Sequence, residues 1–406
     1  MPYVGPAAAL PVYGALARLP QPVAVRVWTA LLVLSAAAFA LAACGLARTR
    51  RWTAFGGAAL LAIASGPETS AIALGQVALV SAAAIACALF AFERRAFAGG
   101  ALATLAAALQ PNLAIVLIAR MRDRTALAAA VLALAAFAAL TLGAGHGLAG
   151  IRDYAHRLAE HGAAERFVAI QHTPAAIAWA FGAPAGFAQG FGTLVALAGV
   201  ALALATIVLR KLDPLDGTLL ATAALPFAVP FFHEHDFVIE LLPLSVLAMR
   251  GRAPLLTAFA TALICVNWLN FAQRPEAAAQ TLLLGLAAAC GYALLPRPLR
   301  DNGRAEADTR LTRTDLLPFA AIVALACIAL PLGRAFPAPV WPDRLPPGYR
   351  APANADASAV WADEQRVAGL ETPQPAWGAL RALPLAGCIV LGFAVVRPGR
   401  RRSTAP

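Results

Sequence analysis

Apolar runs long enough to cross a bilayer recur from residue 23 to residue 396, and this recurrence constrains the chain more than any motif in it. A helix rises about 1.5 Å per residue, so roughly 20 apolar residues span the hydrocarbon core. The expected fold class is therefore all-α, a polytopic bundle of transmembrane helices. Composition agrees. Of 406 residues, 60% are hydrophobic and 13% charged, against about 25% charged in a soluble domain. A soluble enzyme and a cytosolic binding module are excluded.

The formal charge of +11 would point to nucleic acid in a soluble protein. Here it points to arginine-rich cytoplasmic loops, with membrane lipids as neighbours and no nucleic acid. Basic clusters at Arg48–Arg51, Arg94–Arg95, Arg120–Arg124, Arg210–Lys211, Arg250–Arg252, Arg297–Arg313 and Arg397–Arg402 set the sidedness. With these placed inside, the inner segments that contain them, extended to take in Glu93, Asp213, Asp216 and Asp315, hold 21 of the 32 basic residues and 8 of the 21 acidic ones. About eleven crossings follow, at 23–47, 52–66, 67–92, 125–143, 190–209, 217–232, 237–249, 254–272, 277–295, 316–333 and 378–396. The C-terminus is then cytoplasmic. Such a chain is expected in the plasma (inner) membrane of a bacterium.

Residues 96–119 fit no simple crossing, because basic clusters flank both ends and Gln110-Pro111-Asn112 interrupts the run. Proline removes a backbone donor and clashes with the preceding turn. The segment reads as two half-helices in a hairpin that dips in and returns, or as a single span of about 21 residues that would invert everything downstream. The organisation expected is an outer segment 1–22, a first membrane block 23–143 and an outer loop 144–189 carrying an amphipathic helix. A second membrane block 190–333, an irregular outer Pro-rich flap 334–377 with aromatic anchors, and a last helix with basic tail 378–406 follow. Residues 1–22 hold five prolines and no signal-peptide pattern, so this topology expects a further helix upstream of Met1. The six cysteines (Cys44, Cys87, Cys265, Cys290, Cys327, Cys388) lie in apolar runs and read as small buried residues.

Three tracts carry chemistry. In His233-Glu234-His235-Asp236, four ionisable groups meet where two apolar runs join at the outer face, with Glu240 one turn deeper. Such groups serve as general base, phosphate partner or proton relay, or form a solvated turn. A metal is not expected there, since side chains at i and i+2 diverge on a helix. Gly66-Pro67-Glu68 opens the third run and Gly75-Gln76 follows. Glu68 either complements a helix dipole or faces an outer active site; Gly75 would let another backbone approach and Gln76 would offer it an amide. Gln171-His172-Thr173-Pro174 precedes a short helix whose N-terminus could collect an anion, or is capped by Thr173.

The order Tyr3-Val4-Gly5-Pro6, Leu19-Pro20, Trp28, Leu74-Gly75-Gln76, Gly99-Gly100, Gln110-Pro111, His172-Thr173, Pro230, His235 and Leu241-Leu242-Pro243 resembles glycosyltransferase family 87. Those are GT-C mannosyltransferases that use polyprenyl-phosphate mannose; the likeness covers roughly residues 3–250. It implies an inverting transfer at the outer face, to an envelope lipid or glycan acceptor, without a soluble cofactor. A carboxylate deprotonates the acceptor hydroxyl, C1 is attacked in line, and polyprenyl phosphate leaves. Gly75, Gln76 and His235 match family positions near the site. Gln110 stands where the family usually has Lys, and Gly5 where it has Pro. The family's catalytic Asp precedes the Tyr-Pro motif at which this chain begins. Within this sequence the candidate bases are Asp236, Glu234 and Glu68, and the candidate substrate contacts are Gly75, Gln76, Gln110, His172, His233 and His235. Two other classes fit the same features: a transporter or flippase of a lipid-linked or anionic substrate, and an inactive accessory protein of envelope-glycan assembly.

Overall fold

The computed structural model describes residues 7–120, 123–295, 312–340, 349–350, 353, 355 and 357–397. Among them it is all-α, with nineteen α-helices and no strand. The chain opens with α1 (Leu10–Ala17), α2 (Gln21–Ala47), α3 (Trp52–Ala64), α4 (Gly66–Leu74) and α5 (Ala78–Glu93). Then come α6 (Ala98–Leu109), α7 (Pro111–Ala114), α8 (Arg124–Ala144), α9 (Gly147–Ala164), α10 (Pro174–Ala180) and α11 (Ala185–Leu209). The second half comprises α12 (Pro214–Ala228), α13 (Leu241–Met249), α14 (Pro254–Ile264), α15 (Asn270–Gln273), α16 (Ala278–Ala293), α17 (Arg313–Ala335), α18 (Ala357–Val367) and α19 (Pro375–Val396).

Among the described residues five helices, α2, α8, α11, α17 and α19, are long and apolar enough to cross a membrane singly. The other expected crossings are shorter or broken. The run 67–92, for example, divides into α4 and α5 at Gly75, whose φ of +64° ends α4. That left-handed conformation is why glycine stands there. Nothing lies within 4 Å of where its Cβ would be, so Gly75 is not a point of close backbone approach.

Among the described residues, basic side chains tie helix ends together. Arg250 donates to Leu46 O at the end of α2. Arg252 donates to Val395 O near the end of α19 and to Asp216 in the first turn of α12. Arg120 pairs with Glu93, the last residue of α5, at 2.7 Å, and with Asp123 at 3.2 Å. The Arg120–Glu93 pair also closes the hairpin: the chain after α5 returns to the end it left. α6 departs beside α8, close enough that a Cβ on Gly100 would sit 2.9 Å from Ala129 O. Its 12 residues climb about 18 Å. At Gln110 the backbone leaves helical geometry (φ −144°, ψ 87°), and α7 with the 3-10 helix Ile115–Arg120 leads back.

Helix α9 forms where the amphipathic pattern predicts it, with no buried residue. The flap differs from expectation. Residues 357–367 are mostly good helix formers and make α18. Trp361 and Trp377 are buried rather than anchored at the surface, because each indole N–H has an interior acceptor, Glu165 Oε1 and Phe336 O respectively. Cys44, Cys265 and Cys388 are buried as expected, whereas Cys290 and Cys327 face outward. Tyr3–Pro6, Trp341 and most of the 297–313 and 397–402 basic clusters lie outside the described residues.

Close helix contact relies on absent side chains. Facing Gly57 on α3, a Cβ at Gly291 on α16 would lie 2.5 Å from Leu61 N and 2.8 Å from Gly57 O. Both atoms are backbone, so neither can rotate away. Gly291→Leu is expected to destabilise the fold by about 1–3 kcal/mol. Thermal unfolding in detergent reads this, with Gly190→Leu, which has open space, as the neutral comparison.

Candidate active site

The site is built around a kink. Pro226 sits inside α12, which ends at Ala228, and Pro230 lacks the N–H that would extend it. His233 is extended (φ −99°, ψ 171°), and the 3-10 helix Glu234–Glu240 begins after it with all seven residues buried. Asp236 caps this helix: its Oδ2 accepts the His233 backbone N–H at 2.9 Å. Because His233 precedes the helix instead of lying on it, the two imidazoles do not diverge. The His233 and His235 rings stack with centroids 5.2 Å apart and planes 10° apart.

A second segment lies alongside. Gln171 bridges His233 in antiparallel fashion, with the His172 N–H donating to Phe232 O at 2.7 Å. The Gln171 Oε1 accepts the Phe232 N–H at 2.9 Å. Arg381 of α19 fixes this segment from behind. Its Nη1 donates to Val168 O at 3.1 Å and Gln171 O at 2.8 Å, and its Nε to Trp377 O at 3.2 Å.

Glu165, just past α9, is the hub. Its Oε2 lies 2.8 Å from His233 Nε2, 3.4 Å from His161 Nε2 and 3.4 Å from Gln171 Nε2; its Oε1 accepts from Trp361. Neither Glu165 nor Arg381 stands out in the sequence. The available signal is a charge one helical turn after His161 in a segment otherwise turning apolar, and a lone Arg in the last apolar run.

Electrostatics separates the members. Burial works to lower His233, but the Glu165 and Asp236 carboxylates outweigh it and raise it to about 10. Burial holds His235 down at about 4, so that ring is neutral at pH 7. Burial would raise Glu165 and Asp236, yet the neighbouring histidines and hydrogen bonds keep both below the ordinary carboxylate range. Asp236 is also 1% exposed and doubly occupied, by His233 N–H and by the Gln110 amide at 3.1 Å from Oδ1. It is a poor base.

Glu234 is placed differently. It stands 7% exposed beside its neighbours, its carboxylate oxygens carry no hydrogen bond, and its Oε2 lies 3.1 Å from His172 Nε2. The His172 Nδ1 contacts Arg381 O at 3.3 Å. A carbonyl only accepts, so Nδ1 carries a proton and Nε2 is the atom turned to Glu234.

The remaining candidates are less integrated. Glu68 occupies the first turn of α4, where Ser65 Oγ accepts its N–H, and its buried carboxylate has no hydrogen-bond partner. α4 packs on the 3-10 helix, but no described hydrogen bond or ion pair joins Glu68, Gly75 or Gln76 to the His–carboxylate network. Thr173 caps α10, accepting from the Ala176 N–H. Beside the network, Thr173 and Pro230 open onto a groove of about 250 Å³, with Arg166 and Gln189 at its polar part and Leu197 and Phe227 among its apolar walls.

Gln110→Leu removes the amide that reaches Asp236 from the hairpin tip. A hydrogen bond to a charged group contributes about 1.5–3 kcal/mol; that loss is expected in unfolding measurements, with Gln110→Lys recovering it.

The sequence profile of glycosyltransferase family 87 matches residues 3–231. The match takes in Glu68, Gly75, Gln76, Gln110, Glu165, Gln171 and His172, and ends two residues before His233. No curated protein and no solved structure matches the chain significantly.

Proposed function

The chain belongs to glycosyltransferase family 87, a family of membrane glycosyltransferases, and from that premise we propose that it transfers a hexose, mannose by the family resemblance, from a polyprenyl-phosphate donor. The acceptor is an envelope lipid or glycan hydroxyl at the outer face of a bacterial inner membrane. The reading rests on one observation, the Glu234–His172 pair beside the buried Glu165–His233–Asp236 network, with Glu234 accepting no hydrogen bond. Glu234 accepts no hydrogen bond, while each oxygen of Asp236 already accepts one.

Glu234 takes the proton of the acceptor hydroxyl as that oxygen attacks C1. The bond from C1 to the phosphate oxygen breaks, and polyprenyl phosphate leaves with the bonding electrons. Attack opposite the leaving group inverts C1. Once Glu234 has taken that proton, its hydroxyl can donate it to His172 Nε2, whose lone pair faces the carboxyl group. The groove beside Thr173 and Pro230 offers the donor what it needs: a guanidinium, Arg166, for phosphate, and apolar walls for the first isoprene units.

The test uses purified full-length protein in lipid vesicles, supplied with polyprenyl-phosphate mannose or glucose and envelope lipid extracts. Release of polyprenyl phosphate together with an inverted glycoside is expected, with mannose preferred. Donor flux across the vesicle without any glycoside would instead establish a flippase, and donor binding with neither would establish an accessory protein.

A further inference from the structure

The same cluster carries a feature that base catalysis does not use. The His233, His235 and Asp236 donor atoms all lie within 4.8 Å of one another. His233 Nδ1 is 3.7 Å from Asp236 Oδ2, and His235 Nε2 is 3.8 Å from Asp236 Oδ1. We propose that His233, His235 and Asp236 form a three-ligand site for a divalent transition-metal ion of the zinc class.

Geometry carries the proposal. A tetrahedral centre with bonds near 2.1 Å sets its ligands about 3.4 Å apart. The two adjacent separations, measured to different oxygens of Asp236, exceed that by a few tenths of an ångström, and with one atom per residue no pair is more than 4.8 Å apart, so side-chain rotations that move the donors by about an ångström close the set. Two imidazoles and one carboxylate select zinc or cobalt over magnesium, which takes oxygen ligands. Three protein ligands leave a fourth position open, the pattern of a working site rather than a structural one.

The surroundings are those of a metal site as well. Glu165 Oε2 stands 2.8 Å from His233 Nε2, and a carboxylate accepting from one ring nitrogen leaves the other as ligand once the metal displaces its proton. The Gln110 amide orients Asp236 through Oδ1. Glu165, Glu234 and Asp236 bring three buried carboxylates together, a field that favours a divalent cation. Side-chain exposures of 13% for His233 and 9% for His235 leave a way in. The ion's task, holding the donor phosphate and neutralising it as it leaves, rests on the transferase reading above; metal binding itself does not.

The experiment therefore reads binding without substrate. Full-length protein, purified without a histidine tag and stripped with EDTA, is titrated with Co²⁺ under visible spectroscopy and equilibrium dialysis. One Co²⁺ per chain with an intense four-coordinate spectrum, displaced by Zn²⁺, is expected. His235→Ala and the near-isosteric Asp236→Asn should each weaken binding more than 100-fold, and Glu165→Gln by about 10–100-fold. No saturable Co²⁺ binding would overturn the proposal. So would saturable binding that His235→Ala and Asp236→Asn leave unchanged. Either result is independent of whether sugar transfer is found.

Discussion

Glu234→Gln is expected to lower kcat for sugar transfer by about 10²–10⁴-fold, the range a positioned general base contributes. The amide keeps the shape of the side chain and the contact with His172 but cannot take a proton. Donor KM should stay within about threefold, because Glu234 lines no part of the groove beside Thr173 and Pro230. Glu68→Gln is expected to retain most activity. Its carboxylate is completely buried on α4 and joined to the network by no described hydrogen bond. His172→Gln should fall between them, since it removes the neighbour of the base and not the base. The measurement is turnover of polyprenyl-phosphate hexose under saturating acceptor. Wild-type turnover by Glu234→Gln would place the base elsewhere.

The helical bundle was legible because the bilayer imposes a length rule, and arginine clusters mark the same end of successive helices. The break at the hairpin tip could be read from Gln110-Pro111, where α6 ends and α7 begins. The hairpin's closure by Arg120 on Glu93 is the ion pair those clusters made available. Short elements were read less well. The tract 357–367 looked irregular because Pro and Gly dominate the flap around it, and its helix is held by a contact distant in sequence, Trp361 with Glu165.

Within the site, the tract from His233 to Asp236 announced itself through four adjacent ionisable groups. Its geometry did not. Reading those residues as a helix separates the two histidines, whereas an extended His233 stacks them. Glu165 was missed for a related reason. It ends an exposed amphipathic helix whose charges look solvated, and only the approach of His233, Gln171 and Trp361 from three separate segments buries it. Gly75 was over-read: a glycine in an apolar run invites a packing explanation, but the backbone there needed a positive φ.

Arg381→Met should cause the largest loss of stability among these variants, about 3 kcal/mol, and carry activity down with it. Arg381 is 1% exposed, and its described hydrogen bonds go to main-chain carbonyls of Val168, Gln171 and Trp377. Burying a guanidinium is costly, and methionine of similar length removes that cost. It also strands the Gln171 carbonyl, at about 1–3 kcal/mol, and takes the charged donor from Val168 O, which keeps only the Gln171 N–H. The second effect wins because both carbonyls belong to one irregular segment with few substitutes. That segment holds His172 against Glu234 and Gln171 against His233. Transfer should therefore fall even at temperatures where Arg381→Met remains folded. Arg381→Lys should recover only part of either property, since a single ammonium cannot reproduce a fork that reaches carbonyls on two segments. Thermal unfolding in nanodiscs, paired with turnover well below the midpoint, reads the two effects separately. An unchanged midpoint would mean that the segment 168–173 is held by its bridge to His233 alone.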